Sequence, residues 1–218
     1  MHGLISGSGF YDIPELEDRT VATIETPYGP VRLTTGRWRG RPVAFLARHG
    51  ADHSVPPHAI NYRANVWAMR SLGVKAAISP CAAGSLQLAV KPGDFVVCDQ
   101  FVDRTTGRID TFFDGPIVTH LSSAEIYDPV LRQLAIDTIS DHGIEVHERG
   151  TVVVIGGPRF STKSESKWFS DAGWEVINMT QYPEAWLCRE LGMAVVNISL
   201  ITDYDAGVHE GTEAVNAM

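Results

Sequence analysis

Cysteine is scarce and unpaired in this chain: Cys81, Cys98 and Cys188 are odd in number and share no metal-ligand spacing. That argues against a disulfide framework and leaves buried free thiols in a reducing compartment as the expectation. Positive charge is also short, with 18 Lys and Arg against 26 Asp and Glu and a formal net charge of −8. Nucleic-acid binding rests on clustered Lys and Arg, so a nucleic-acid partner is not expected. Any bound anion has to be held by a local cluster working against the overall field. No apolar run approaches the roughly 20 residues that a membrane span needs. The opening Met1-His2-Gly3-Leu4-Ile5 lacks the charged region, apolar core and cleavage site of a signal peptide, so the cytoplasm is the expected location.

What is present fits a globular domain: 44% hydrophobic and 20% charged residues over 218 positions, with no repeat, low-complexity tract or linker. At roughly 100–200 residues per domain, one domain is expected. Val21–Ile24, Val31–Thr34 and Pro42–Leu46 read as strands separated by Pro/Gly turns. Ile60, Ala64, Trp67, Ala68 and Leu72 recur at helical spacing, and Gly73 closes that helix. Val74–Ser79 reads as a strand ending in the small residues Pro80 to Ser85, and Asp94–Cys98 as the next strand. Asp99–Glu125 reads as polar and irregular, after which Asp128-Pro129 caps a helix with Leu131, Leu134, Ala135 and Ile139 on its buried face. A strand pair is expected to meet near Glu148–Gly150, with Ser161 capping the following helix and Tyr182-Pro183-Glu184 opening another. The fold class is α/β, a mixed central sheet flanked by helices with an antiparallel N-terminal part. Thr212 looks like a helix cap less than two turns before Met218, so a C-terminal helix is expected to be absent or incomplete.

Polar residues gather where strands end. Asn178-Met179-Thr180 lies between Gly157-Pro158-Arg159-Phe160-Ser161 and Thr202-Asp203-Tyr204-Asp205, each after a strand-like run. In an open α/β sheet such ends converge on one ligand crevice. Gly7-Ser8-Gly9 is a plain turn or an anion-wrapping loop. Arg48-His49 suits a phosphate oxygen or a surface salt bridge. Asp203 and Asp205 form a turn or a carboxylate pair in which repulsion raises one pKa. His53, His58, His142 and His147 have no usable spacing and read as solvated or satisfied.

Taken together the pieces resemble a known family. Arg48-His49-Gly50, the run from Asn61 to Ala68, the run from Asp99 to Thr106, Gly157–Ser161, Asn178-Met179-Thr180 with Pro183-Glu184, and Thr202–Asp205 are similar to the S-methyl-5'-thioadenosine phosphorylases of the trimeric purine nucleoside phosphorylase superfamily. The resemblance runs in order from Leu4 to about Val215. It implies attack of inorganic phosphate on C1′ of a 5′-substituted adenosine, giving adenine and a ribose 1-phosphate in purine and methionine salvage. It assigns phosphate to Ser8, Arg48, His49 and Thr180, helped by Cys81 and Ala82. Met179 is assigned to the ribose, Phe160 to the purine, and Ser161, Asp203 and Asp205 to the base, the two aspartates being the catalytic pair. His120 resembles a residue that a neighbouring subunit places beside the 5′ group, which implies a homotrimer. No metal or organic cofactor is implied; phosphate is the co-substrate.

Three departures bear on function. Ser79-Pro80-Cys81-Ala82-Ala83 stands where the family often carries a further hydroxyl, so weaker phosphate binding is expected; Gly7-Ser8-Gly9 replaces Gly-Thr-Gly, a milder change because the hydroxyl is kept. The family's C-terminal helix, which lines the 5′ subsite, begins about where this chain ends. The alternatives are phosphorolysis of 6-oxopurine nucleosides (inosine, guanosine or methylthioinosine), a hydrolytic nucleosidase, and a nucleoside-binding homologue without turnover. Asp203 and Asp205 favour the 6-aminopurines, because a carboxylate accepts from an amino group and faces a carbonyl oxygen unfavourably.

Overall fold

A computed structural model describes residues 1–208 of the chain. The expected C-terminal helix beginning at Thr212 falls on residues outside that range.

The N-terminal part is antiparallel, as its turn chemistry demands. Strands β2 (Glu17–Ile24), β3 (Val31–Trp38) and β4 (Arg41–Ala47) form consecutive hairpins. The β3–β4 turn has two central residues, Arg39 and Gly40, both at positive φ (49° and 74°). That is the turn geometry whose twist matches paired strands, and Gly40 accepts it without strain. Strand β1 (His2–Ser6) then lies parallel to both β4 and β5 (Ala76–Ser85). Strand β5 pairs in parallel with the long β11 (Ala194–Tyr204) and antiparallel with β10 (Val176–Asn178). Beyond β10 lie β9 (Thr151–Ile155) and β7 (Gln100–Arg104), while β11 also pairs β6 (Phe95–Val96), which pairs β8 (Val146–His147).

Among the described residues, four α-helices cover this mixed sheet: α1 (Tyr62–Ser71), α2 (Pro129–Asp141), α3 (Lys163–Asp171) and α4 (Gln181–Glu190). Because strand side chains alternate, neighbouring residues show which helix covers which face. Val195 joins the main core with Ile5, Leu46, Met69 of α1 and Leu187 of α4, whereas Val196 packs with Ile136 of α2. Likewise Val152 and Val154 face the main core and Val153 packs with Phe169 of α3. Helices α1 and α4 thus cover one face, and α2 and α3 the other. Each fully buried Leu- or Ile-sized side chain contributes about 1.5–3 kcal/mol.

Several expectations need correction. Pro80 to Ser85 is no loop: β5 runs through it, sustained by pairing with β11 from Ala76 to Ser85. The irregular stretch after Asp99 contains β7, whose polar residues hide a strand held by its pairing with β9. Strands β8 and β9 do not pair with each other; β8 joins β6 and β9 lies between β7 and β10. On α2 the buried residue is Ile136, and Leu134 is 61% exposed. Helix α3 is capped by Thr162 in a capping box with Glu165, not by Ser161, whose hydroxyl is engaged elsewhere.

Candidate active site

The crevice arises where the sheet changes partners. Strand β1 accompanies β5 only as far as the Leu4–Ile78 pair, and β10 joins β5 only at Gly84. Between those points one edge of β5, from Ser79 to Ala83, has no strand beside it among the described residues. Such a switch of partners is where an open α/β sheet admits a ligand. A cavity of about 700 Å³ lies there, lined by the ends of β1, β4, β9, β10 and β11.

Arg48, at the end of β4, occupies the gap between β1 and β5. Its Nη2 donates to the Ile5 carbonyl (2.6 Å) and Ser79 Oγ (2.8 Å), and its Nη1 to the Pro80 carbonyl (3.1 Å). Its Nε and Nη2 also grip Glu184 of α4 in a two-pronged ion pair (2.9 and 2.8 Å). The surface salt bridge considered for Arg48 is therefore a buried one, with Arg48 2% and Glu184 1% exposed. Burial works against the guanidinium's charge, and Glu184 with the neighbouring groups more than offsets it, so the pKa is raised. Gly7 is required beside it, since a Cβ there would lie 2.6 Å from Nη1.

His49 donates from Nδ1 to the Val55 carbonyl (2.9 Å), because a carbonyl oxygen only accepts. Its pKa is lowered, first by burial and then by Arg48 and His53, against that hydrogen bond. Neutral His49 therefore turns Nε2 away from Val55. Cys81 Sγ lies 3.3 Å from Gln181 Nε2, 3.6 Å from Thr180 Oγ1 and 3.7 Å from Arg48 Nη1. Ser8, Ala82 and Thr180 line the same end, so all six residues assigned to phosphate meet in one cavity.

Asn178 closes β10 and turns Oδ1 toward the amides of Thr180 (3.3 Å) and Gln181 (3.4 Å). Its role is to shape the turn that presents Met179 and Thr180 to the cavity. Arg108, which sequence reasoning missed, supports this turn from behind by donating to the carbonyls of Met179 (2.7 Å), Gly156 (3.0 Å) and Tyr182.

The other end, beside Gly84 of β5, holds Asp203 and Asp205, and Phe160 lines the same cavity. A bulge in β11 between Ile201 and Asp203 makes Thr202 the extra residue and sets Asp203 opposite Gly84. Bulges beside sites re-aim side chains in this way. Thr202 Oγ1 donates to Asp203 Oδ1 (2.6 Å). The Asp203 pKa is raised, first by burial and also by the charge of Asp205, with Thr202 acting the other way. Asp205 is 3% exposed and accepts from Ser161 and Ser166 at Oδ2. Ser161 thus reaches the site through Asp205 and is not itself among the cavity-lining residues.

His120 sits in an exposed stretch and does not line the cavity of its own chain. His53, read as solvated or satisfied, does line it; it hydrogen-bonds Tyr11 and stacks 5.0 Å from His49. Glu184, Gln181, Arg108 and Ser166 carried no spacing signal, although Glu184 stood inside a quoted motif. Cys81, Cys98 and Cys188 are free and buried, as expected. Among the described residues, no three His, Cys, Asp or Glu side chains are grouped to hold a metal ion.

Comparison with known proteins agrees with this geometry. The Phosphorylase superfamily model matches residues 2–217. An S-methyl-5'-thioadenosine phosphorylase of Mycolicibacterium smegmatis is 49% identical over 214 residues, 97% of this chain and 80% of its own length. A 6-oxopurine nucleoside phosphorylase of Pyrococcus furiosus is 44% identical over 212 residues, 94% of this chain and 80% of its own. In structure, the methylthioadenosine phosphorylase of Schistosoma mansoni in complex with adenine superposes with a TM-score of 0.93 at 36% identity, covering 99% of this chain and 82% of that one. A strand switch plugged by a buried arginine, an aspartate pair at the far end of the same cavity, and these matches along nearly the whole length place the chain in the phosphorylase superfamily.

Proposed function

We propose that this chain is a purine nucleoside phosphorylase that cleaves S-methyl-5'-thioadenosine, or a related 5′-substituted adenosine, with inorganic phosphate. One observation carries the reading: a single cavity of about 700 Å³ has Arg48, His49, Ser8 and Thr180 at one end and Asp203 with Asp205 at the other. That volume lies within the roughly 300–1,000 Å³ usual for small-molecule sites.

Breaking an N-glycosidic bond leaves positive charge on the ribose and negative charge on the departing base. Groups placed where those charges develop lower the barrier. Phosphate, held by the Arg48 end, is positioned for attack on C1′ and stabilises the cationic sugar. Asp203, which holds its proton to higher pH than an ordinary aspartate, is the group that donates to N7 of the leaving purine. Asp205 accepts from the 6-amino group, Phe160 lies against the purine, and Met179 lies against the ribose. Phosphate is the co-substrate, and no metal or organic cofactor enters these steps.

The active form is proposed to be a homotrimer. Ile117 and Val118 are 76% and 78% exposed on the stretch that carries His120. A second copy covering them would bring His120 to its neighbour's 5′ subsite. The cytoplasm is the proposed compartment, on the strength of three free, buried thiols.

The test is adenine release from methylthioadenosine with and without phosphate, beside inosine and methylthioinosine. Release that requires phosphate and favours the aminopurine is expected. Release undiminished without phosphate would make the protein a hydrolase, and a preference for oxopurines would reverse the reading of Asp203 and Asp205.

A further inference from the structure

Among the described residues, Asp205 is a buried carboxylate with no cation paired to it. Its hydrogen bonds among the described residues come from two serine hydroxyls, Ser161 and Ser166, and both end on Oδ2. Ser166 is fully buried on α3, with Oγ 2.5 Å from Oδ2 of Asp205, 2.9 Å from Ser161 Oγ and 3.0 Å from the Thr162 carbonyl. On the other side, the Asp205 amide donates to the Ser85 carbonyl (2.9 Å) and fixes the backbone. Among the described residues, no charged group on the packed elements forms an ion pair with Asp205. Glu165 of α3 is held by Arg159, the Lys163 stem lies against Gly207, and Asp203 is the neighbouring carboxylate. Strand β5 contributes only Ser85 and Gly84 here.

We propose that Ser166 is a positioning residue for base selectivity: together with Ser161 it pins Oδ2 of Asp205 and leaves Oδ1 free to accept from the exocyclic amine of a 6-aminopurine. A lysine or arginine in its place would draw on both oxygens, whereas two neutral hydroxyls on one oxygen fix the carboxylate plane and leave the other oxygen's lone pairs free. Without Ser166 the carboxylate pivots, and the geometry that distinguishes an amino from an oxo substituent loosens. This inference rests on the base subsite proposed above.

The test is calorimetric titration of wild type and Ser166→Ala with free adenine and free hypoxanthine, alongside kcat and KM for methylthioadenosine, inosine and phosphate. Ser166→Ala is expected to lose about tenfold in adenine affinity and in kcat/KM for methylthioadenosine, the order of effect of one hydrogen bond to a charged group. Hypoxanthine affinity and the KM for phosphate stay unchanged, so the amino-to-oxo ratio narrows. An equal loss for both bases, a raised phosphate KM or an unchanged ratio would overturn the proposal. Wild type that prefers adenine in the calorimeter but releases none with phosphate would sink the phosphorylase reading alone, and the binding ratio would still judge Ser166. Wild type that binds neither base would sink both.

Discussion

At Asp203, burial and the charge of Asp205 raise the carboxyl's pKa while the Thr202 hydroxyl lowers it, and the first two prevail. The group therefore keeps its proton to higher pH than an ordinary aspartate, and kcat/KM should fall as pH rises through that raised value. Asp205→Asn removes one raising influence and leaves burial, so the alkaline limb of the pH–rate profile is expected to move to lower pH. Asp203→Ala is expected to lower kcat by roughly 10²–10⁴-fold, the usual worth of a placed proton donor, with little change in urea-melt stability. Arg48 behaves differently, because Glu184 is buried with it. Arg48→Ala raises the KM for phosphate, but it also strands a buried carboxylate, which costs about 3–5 kcal/mol. Combining it with Glu184→Gln should recover much of the stability and none of the phosphate binding, as urea melts and phosphate titrations would show. The sequence alone offered Arg48 a phosphate oxygen or a surface salt bridge, and nothing in the spacing of residues 136 positions apart reveals the buried ion pair with Glu184.

Helix α3 presents Ser166 to Asp205, and its start is set by the Thr162–Glu165 capping box. Thr162→Ala should cost about 1 kcal/mol in a urea melt. The Glu165 pKa is lowered to about 2, first by Arg159 and then by the Thr162 amide. A depressed carboxylate stabilises the fold above its unfolded pKa and ceases to do so as pH falls through the folded value. The Glu165 contribution should thus fade between about pH 4.5 and about 2. Glu165 and Arg159 reach solvent, so added salt should shrink it. The hairpins, α1 and the strands β9 and β11 were legible because turn residues and hydrophobic period agreed there. The extension of β5 through Pro80 and the strand β7 were not, because both depend on neighbours far along the chain. Pro80, normally a strand breaker, is tolerated where β5 has no partner on one edge.

Over the whole molecule, a net charge of −8 repels phosphate, so the proposed phosphate site depends on the short-range donors around Arg48. Ile109, Ile117, Val118 and Leu121 are exposed apolar side chains on the segment that bears His120, and Ile117 and Val118 are more exposed than those elsewhere, such as Val130 and Leu134 on α2. Light scattering should report a trimer, and Ile117→Asp with Val118→Asp should dissociate it. His120→Ala is expected to weaken 5′-substituent discrimination in the assembled wild-type background and to leave the dissociated variant unaffected. A monomer with full activity would remove both the trimer and the assignment of His120.

The sequence by itself determined the class of the fold, the order of most elements, and the residue types gathered at strand ends, because turn chemistry and periodicity are local. It carried Arg48, His49, Thr180, Asp203 and Asp205 to one side of an α/β sheet through motifs that are contiguous in the chain. Only the tertiary structure decided what surrounds them: Glu184 neutralising Arg48, Arg108 bracing Met179, Ser166 pinning Asp205, and the bulge at Thr202 aiming Asp203. These are contacts between elements, fixed by which strand lies beside which. Asn178-Met179-Thr180 shows the division, since its polarity is written in the chain, while its place at the break between β1 and β10 is a property of the sheet.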